Sequence, residues 1–211
     1  MRNRIDHVVI GADTLESGTA LWQSQAGVHI PPGGKHPAMS THNSLMQCGD
    51  ERFVEIIAID PDAPAPGRRR LFTLDEAATR ARLAHRPRAL CWVANTDNLD
   101  AVLQASPVDL GEPLALSRGE LTWRLTVPRD GSLPGSGLLP AFIEWSPGPH
   151  PSTAQQDRGV RLSRVRLTHP DPDSLEAQLD DLQVRHLVTV EQGTEALAFE
   201  FESPAGSFVI D

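Results

Sequence analysis

One short phrase, met three times, constrains the fold of this 211-residue chain more than any other feature. Asp-x-Leu-Glu, or its Asp-ending variant, stands at Asp13–Glu16, Asp97–Asp100 and Asp173–Glu176, with 84 and then 76 residues between copies. Each copy follows a strand-like run: IDHVVIG (Ile5–Gly11), ALCWVAN (Ala89–Asn95) and GVRLSRVRLTH (Gly159–His169). Each also opens an amphipathic segment, so the leading acid reads as an N-cap for backbone N–H groups that a first helical turn leaves free. Behind every helix come further strands. They are NSLMQCG and RFVEIIAID (Arg52–Asp60) in the first copy, and ELTWRLTVP (Glu120–Pro128) and LPAFIEW (Leu139–Trp145) in the second. HLVTVE, ALAFEFES and SFVID close the third. Self-similarity of this size predicts a βαβββ module that is duplicated and then partly triplicated.

The expected class is α+β. One module cannot cover its own sheet, whereas two can pair their sheets around a cleft or open barrel. The divisions fall at a first module over 1–66, a connecting helix within 67–88, a second module over 89–150 and a partial third, βαβ-type module over 151–211, all in one globular unit. Pro-rich Asp60–Arg70 and Ser146–Gly159 read as connectors, and His150 as a linker residue. Thr73 and Glu76 form a second capping-box pattern that starts the connecting helix, which Pro87 stops.

A net charge of −9 argues against nucleic acid as a partner, since that needs a basic face. The run Gly67–Arg70 with Arg80, Arg82, Arg86 and Arg88 reads as a solvated face beside a helix, or as an anion-binding face. Two cysteines, Cys48 and Cys91, imply no disulfide framework. No run approaches the roughly 20 apolar residues of a membrane span, so a cytoplasmic protein with no membrane partner is expected. No Gly-x-Gly-x-x-Gly, P-loop or Gly-x-Ser-x-Gly motif is present.

A set of motifs then resembles a known family. Asp6-His7-Val8-Val9, Gly33-Gly34-Lys35-His36-Pro37, Thr41-His42-Asn43, Phe53-Val54-Glu55-Ile56-Ile57, Pro140-Ala141-Phe142-Ile143-Glu144-Trp145 and His150-Pro151 occur in this order across nearly the whole chain. Their order and spacing are similar to those of bacterial glyoxalase-like domain proteins. These belong to the vicinal oxygen chelate superfamily, with glyoxalase I, extradiol dioxygenases and bleomycin-resistance proteins. The resemblance implies paired βαβββ modules, and a divalent metal ion held by the first and last strands of each module.

Carried onto this sequence, the resemblance puts metal ligands at His7, Glu55 and Glu144, with Glu55 and Glu144 doubling as catalytic carboxylates. Strand alternation supports part of this: Ile5, His7 and Val9 should share one face, as should Phe53, Glu55 and Ile57. The fourth ligand position falls on Cys91, which is either a thiolate ligand or a small buried hydrophobe. His7 also has a plain reading as a hydrogen-bonded core residue. Glu55 and Glu144 are harder to dismiss, because an unpaired carboxylate in an apolar strand costs several kcal/mol to desolvate. His36, His42 and Asn43, with Cys91, are expected as substrate-side groups of the cleft. Completing a metal site or ordering the loop are the other readings of the two histidines.

Two functions follow from the resemblance. One is a metal-dependent lyase, isomerase or dioxygenase acting on a small, oxygen-rich substrate. The other is a metal-free cleft that binds or sequesters a small molecule, as bleomycin-resistance proteins do. A homodimer is compatible with both.

Overall fold

The computed structural model describes residues 3–211. The first module is β1 (Arg4–Gly11), α1 (Leu15–Ala26), β2 (Pro32–His36), β3 (Thr41–Gly49) and β4 (Arg52–Ile59). A connector carrying α2 (Ala77–His85) leads to the second, made of β5 (Arg88–Asn95), α3 (Leu99–Ala105), β6 (Glu112–Arg118), β7 (Leu121–Val127) and β8 (Ala141–Trp145). These eight strands form one sheet in the order β2-β3-β4-β1-β5-β8-β7-β6. In each half the last strand lies parallel to the first, and the halves meet where β1 and β5 pair antiparallel. The sheet curls until its outer strands approach: a Cβ added to Gly34 of β2 would sit 3.1 Å from Arg118 Cδ of β6.

The remaining segment is β9 (Arg161–His169), α4 (Pro172–Asp181), β10 (Thr189–Gln192), β11 (Ala196–Ser203) and β12 (Gly206–Ile210). It keeps the strand–helix–strands order but pairs differently, as a separate four-stranded sheet in the order β10-β9-β11-β12. Its apolar side packs on the convex back of the large sheet. There Leu162, Val165, Phe199, Phe201 and Phe208 share a core with Val8, Ile10, Val54, Ile56, Trp92 and Phe142. Trp22 of α1 links the layers, its ring edge-on to Phe201 and Phe208 at 5.2 and 5.5 Å. Gly18 lets α1 lie close, since a Cβ there would clash with Ile56. A mid-helix glycine costs about 0.5–1 kcal/mol. One fully buried side chain the size of Trp22 returns more than that.

The helix starts differ from the expected caps. Thr14, not Asp13, caps α1, in a reciprocal box with Ser17 rather than Glu16 (Ser17 N–H to Thr14 Oγ1, 3.1 Å). Asn98 caps α3 and Asp171 caps α4, one and two residues from the expected Asp97 and Asp173. Thr73 caps nothing, because Phe72 and Thr73 take left-handed φ values of 62° and 57°, and α2 starts only at Ala77. Several short polar side chains stand at each start, and any of them has the chemistry to cap. Gly27 ends α1 as expected, with φ 69° and its N–H bonded to Gln23.

A second core fills part of the concave side. Leu71, Phe72 and Leu74 of the connector and Leu83 of α2 pack there against Val9, Cys91, Val93, Leu125 and Ile143. Among the described residues no helix is long and apolar enough to cross a membrane.

Candidate active site

The rest of the concave side is a cavity of about 320 Å³. Its walls are mostly apolar: Leu45, Phe53, Ile57, Phe72, Leu116, Trp123, Leu125, Ile143 and Trp145. The polar groups in it are few, and most come from the first module. They are His7, His36, Asn43 and Glu55, joined by Ser117 and Arg118 of β6.

His7 reaches the cavity because β1 carries a bulge. Ile5 pairs with Ala94 and His7 with Val93, which leaves Asp6 as an extra residue. A bulge re-aims the side chains on either side of it. Ile5 therefore joins the convex core, while His7 and Val9 face inward, so the expected Ile5–His7–Val9 face is broken at Asp6. In-register neighbours share a face, and Glu55, Val9 and Cys91 form one inward row across β4, β1 and β5.

Asp6 is fully buried and is the hub of the site. Its Oδ1 lies 2.6 Å from His7 Nδ1. Its Oδ2 accepts from Asn95 Nδ2 at 3.0 Å, Trp145 Nε1 at 2.8 Å and His150 Nε2 at 3.0 Å. Burial opposes ionisation, but the hydrogen bonds from His150 and His7 outweigh it and hold the carboxyl well below the ordinary carboxylate range. Ser152 N–H donates to His150 Nδ1 at 3.3 Å, which leaves His150 Nε2 as the donor to Asp6.

With Nδ1 turned to Asp6, His7 presents Nε2 to the cavity, 3.6 Å from Glu55 Oε2. The His7 ring is stacked on Phe53, centroids 4.5 Å apart and planes at 11°. Asn43 fixes the other oxygen of the glutamate, donating from Nδ2 to Glu55 Oε1 at 2.6 Å and accepting from Gly34 N–H at 2.9 Å. Its second amide proton points to His36 Nε2 at 3.4 Å, and His36 Nδ1 lies 3.2 Å from Thr41 Oγ1. Burial lowers the pKa of His36.

Four expectations meet a different geometry. Glu144 does not join His7 and Glu55. It points to the opposite face, where Arg124 binds it at 2.7 Å through Nε and Leu99 N–H at the start of α3 donates to it at 3.2 Å. On β8 it is Ile143 and Trp145 that line the cavity. His42 is likewise out of the cavity, because adjacent strand residues face opposite ways and Asn43 has the inward place. Its Nε2 is buried without a hydrogen-bond partner. Cys91 lies under the cavity floor, its thiol pushed well up by burial and then by the Glu55 charge, which opposes a thiolate ligand. His150 is a buried ligand of Asp6 and not a linker residue.

A metal chelate of the expected type needs imidazole and carboxylate groups from both modules to converge. His7 Nε2 and Glu55 are the ligand-type pair that converges in the cavity. The second module's matching inward positions, Cys91, Val93, Ala141 and Ile143, bring no imidazole or carboxylate. Among the described residues no three His, Cys, Asp or Glu side chains are placed to hold a metal ion. The expected set of His7, Glu55 and Glu144 does not fit.

The model of the glyoxalase-like domain family matches residues 5–183, most of the chain. The chain belongs to the glyoxalase-like domain family. Among solved structures, a hypothetical protein from Staphylococcus aureus superposes over 100% of this glyoxalase-like chain and 86% of its own, with a TM-score of 0.62 and 15% identity. Methylmalonyl-CoA epimerase from Mycobacterium tuberculosis matches at 18% identity and a TM-score of 0.43, over 72% of this chain and 92% of that one. The Streptomyces coelicolor methylmalonyl-CoA epimerase matches at 15% and 0.43, over 68% and 98%. At 15% identity the likeness to the Staphylococcus aureus protein is one of fold alone. No curated protein matches the chain.

Proposed function

We propose that this glyoxalase-like protein is a proton-transfer enzyme of isomerase or lyase type, acting on a small hydroxy-carbonyl compound. The reading is carried by the Asp6–His7–Glu55 arrangement, in which one nitrogen of His7 is fixed by a buried carboxylate and the other faces a second carboxyl. Asp6 is a positioning residue; His7 and Glu55 are the catalytic pair.

His7 Nε2 and Glu55 Oε2 stand 3.6 Å apart, beyond a direct hydrogen bond, so each can meet a different atom of one small substrate, one as the base and the other as the acid. The unprotonated partner takes the proton from the substrate carbon next to the carbonyl. The protonated partner gives its proton to the carbonyl oxygen, and an enediol results. The partner that took the first proton then gives it to the former carbonyl carbon, while the other takes the proton of the neighbouring hydroxyl, whose oxygen becomes the new carbonyl; the 1,2-shift leaves the pair as it began. If a leaving group departs from the adjacent carbon instead, the outcome is a lyase reaction. Positioned acid–base groups supply about 10²–10⁴-fold each, and the apolar walls keep water from competing for the pair. No step passes through a metal, because the ligand-type side chains do not converge on one.

The test is wash-out of carbon-bound hydrogen. The protein is incubated in D₂O with a panel of small hydroxy-aldehydes, hydroxy-ketones and hydroxy acids and followed by proton NMR. Exchange that is lost in His7→Asn and Glu55→Gln supports the reading. Saturable binding of panel compounds with no exchange supports the sequestering alternative, which the apolar second-module wall favours.

A further inference from the structure

The strands of the second module bring one charged side chain to the cavity, and among the described residues it has no ion-pair partner. On β6 the inward residues alternate as Leu114, Leu116 and Arg118; Leu114 and Leu116 pair with Leu125 and Trp123, which line the same cavity. Arg118 is therefore an arginine at an inward position, half-buried at the cavity mouth. Among the described residues no carboxylate lies within ion-pair distance of it, and it is the arginine that lines this cavity.

The surroundings make room for this side chain. Gly34 on the facing strand edge has no Cβ, and one placed there would press on Arg118 Cδ at 3.1 Å. Across the mouth stands His36, on which the positive charge of Arg118 acts in the same direction as burial, against protonation. Glu55, the carboxylate that lines the cavity, is already taken by Asn43 and His7. The cavity thus combines an acid–base pair, apolar walls that include Trp123, Trp145 and Phe53, and a cation on β6 beside the β2 edge.

We propose that Arg118 binds a carboxylate of the substrate, so that the substrate class is the small 2-hydroxy or 2-oxo acids with a short apolar body. This rests on the proton-transfer reading of the same cavity and adds the charge of the ligand to it. A guanidinium presents a planar fork of donors that matches a carboxylate in two parallel hydrogen bonds. A cavity near the lower end of the usual 300–1,000 Å³ range suits a small acid rather than a large conjugate.

The experiment compares acids with their uncharged twins. Lactate, 2-hydroxyisocaproate and mandelate, each against its primary amide, are titrated into the protein by calorimetry and by quenching of tryptophan fluorescence, since Trp123 and Trp145 line the cavity. At least one acid is expected to bind about tenfold or more tighter than its amide, a preference that Arg118→Met removes and Arg118→Lys partly restores. Equal affinity of acids and amides, binding of none of them, or a preference that survives Arg118→Met overturns the proposal. Wash-out of carbon-bound hydrogen in the amides, lost in His7→Asn and kept in Arg118→Met, separates the two readings: it leaves the acid–base pair standing whether or not Arg118 selects the acid.

Discussion

Asp6 and His150, separated by 144 positions in the chain, are joined by a 3.0 Å hydrogen bond inside the protein. The contact ties the first strand to the segment behind β8, while Asn95 and Trp145 tie the same carboxylate to the second module. One buried anion thereby orients His7 and holds both halves of the sheet to it.

Asp6→Asn keeps the shape but removes the charge, and turns an NH₂ group toward donors. Breaking a buried charge–hydrogen-bond cluster typically costs about 3–5 kcal/mol, so the urea midpoint should fall clearly. The pH dependence has a definite sign. A carboxyl with a folded pKa below its unfolded value of 3.8 contributes stability that is full above that value and lost as pH falls toward the depressed one. Wild-type unfolding free energy should therefore drop as pH falls below about 4, and the Asp6→Asn curve should be flatter there. Equal slopes in the two proteins would show that Asp6 is not the group responsible.

Glu144→Gln should leave ligand binding and hydrogen wash-out unchanged, because Glu144 lies behind the sheet with Arg124 and Asp100. Loss of so exposed a pair costs about 0–1 kcal/mol. Paired titrations of wild type and variant, by ligand binding and by urea, check both statements. A collapse of binding would return Glu144 to the cavity.

Why Glu144 looked equivalent to Glu55 is a matter of phase. FIEW and FVEI match by residue type, yet β8 carries its inward residues at Ile143 and Trp145, one step out of register with the glutamate. Letters at a repeat position do not report which side of the pleat they occupy. The same alternation could have separated His42 from Asn43 in the sequence, since neighbouring side chains on a strand point to opposite faces of the sheet. Strand and helix order and the paired modules were legible because apolar periodicity carries them, whereas His7 and Glu55 were assigned to the cleft by the family resemblance. Asp6 was not, because its role depends on a bulge that shifts register locally and leaves no mark in composition. His150 was hidden by its neighbours, the prolines and glycines of Ser146–Gly159.

The two cysteines should be silent in the folded protein. Both are fully buried, with Cys48 pushed up to about 12 and Cys91 well above its ordinary value, mainly by burial. Ellman's reagent at neutral pH should find no thiol in the native protein and two after denaturation. Fast labelling of Cys91 would mean that the cavity floor opens.

Asn43→Ala should act on structure and chemistry together. It strips Glu55 Oε1 of its 2.6 Å donor and Gly34 N–H of its acceptor. Leaving such partners unsatisfied costs about 1–3 kcal/mol, and a freed Glu55 should slow hydrogen wash-out. Asn43→Gln, unable to span both bonds, should not rescue it. Thermal melts with the NMR exchange assay measure the two effects separately.

The antiparallel seam between β1 and β5 makes the two halves of the sheet equal in layout and unequal in content. Were the halves chemically alike, a ligand could enter in either of two orientations and find the same groups. Here the ionisable side chains sit on one side of the seam, apart from Arg118 of β6, which the curl of the sheet brings to the β2 edge. A molecule bound as proposed would therefore have one favoured orientation, with one ligand per polypeptide. Duplication supplied the symmetry of the enclosure, and its loss at the level of side chains supplies a direction.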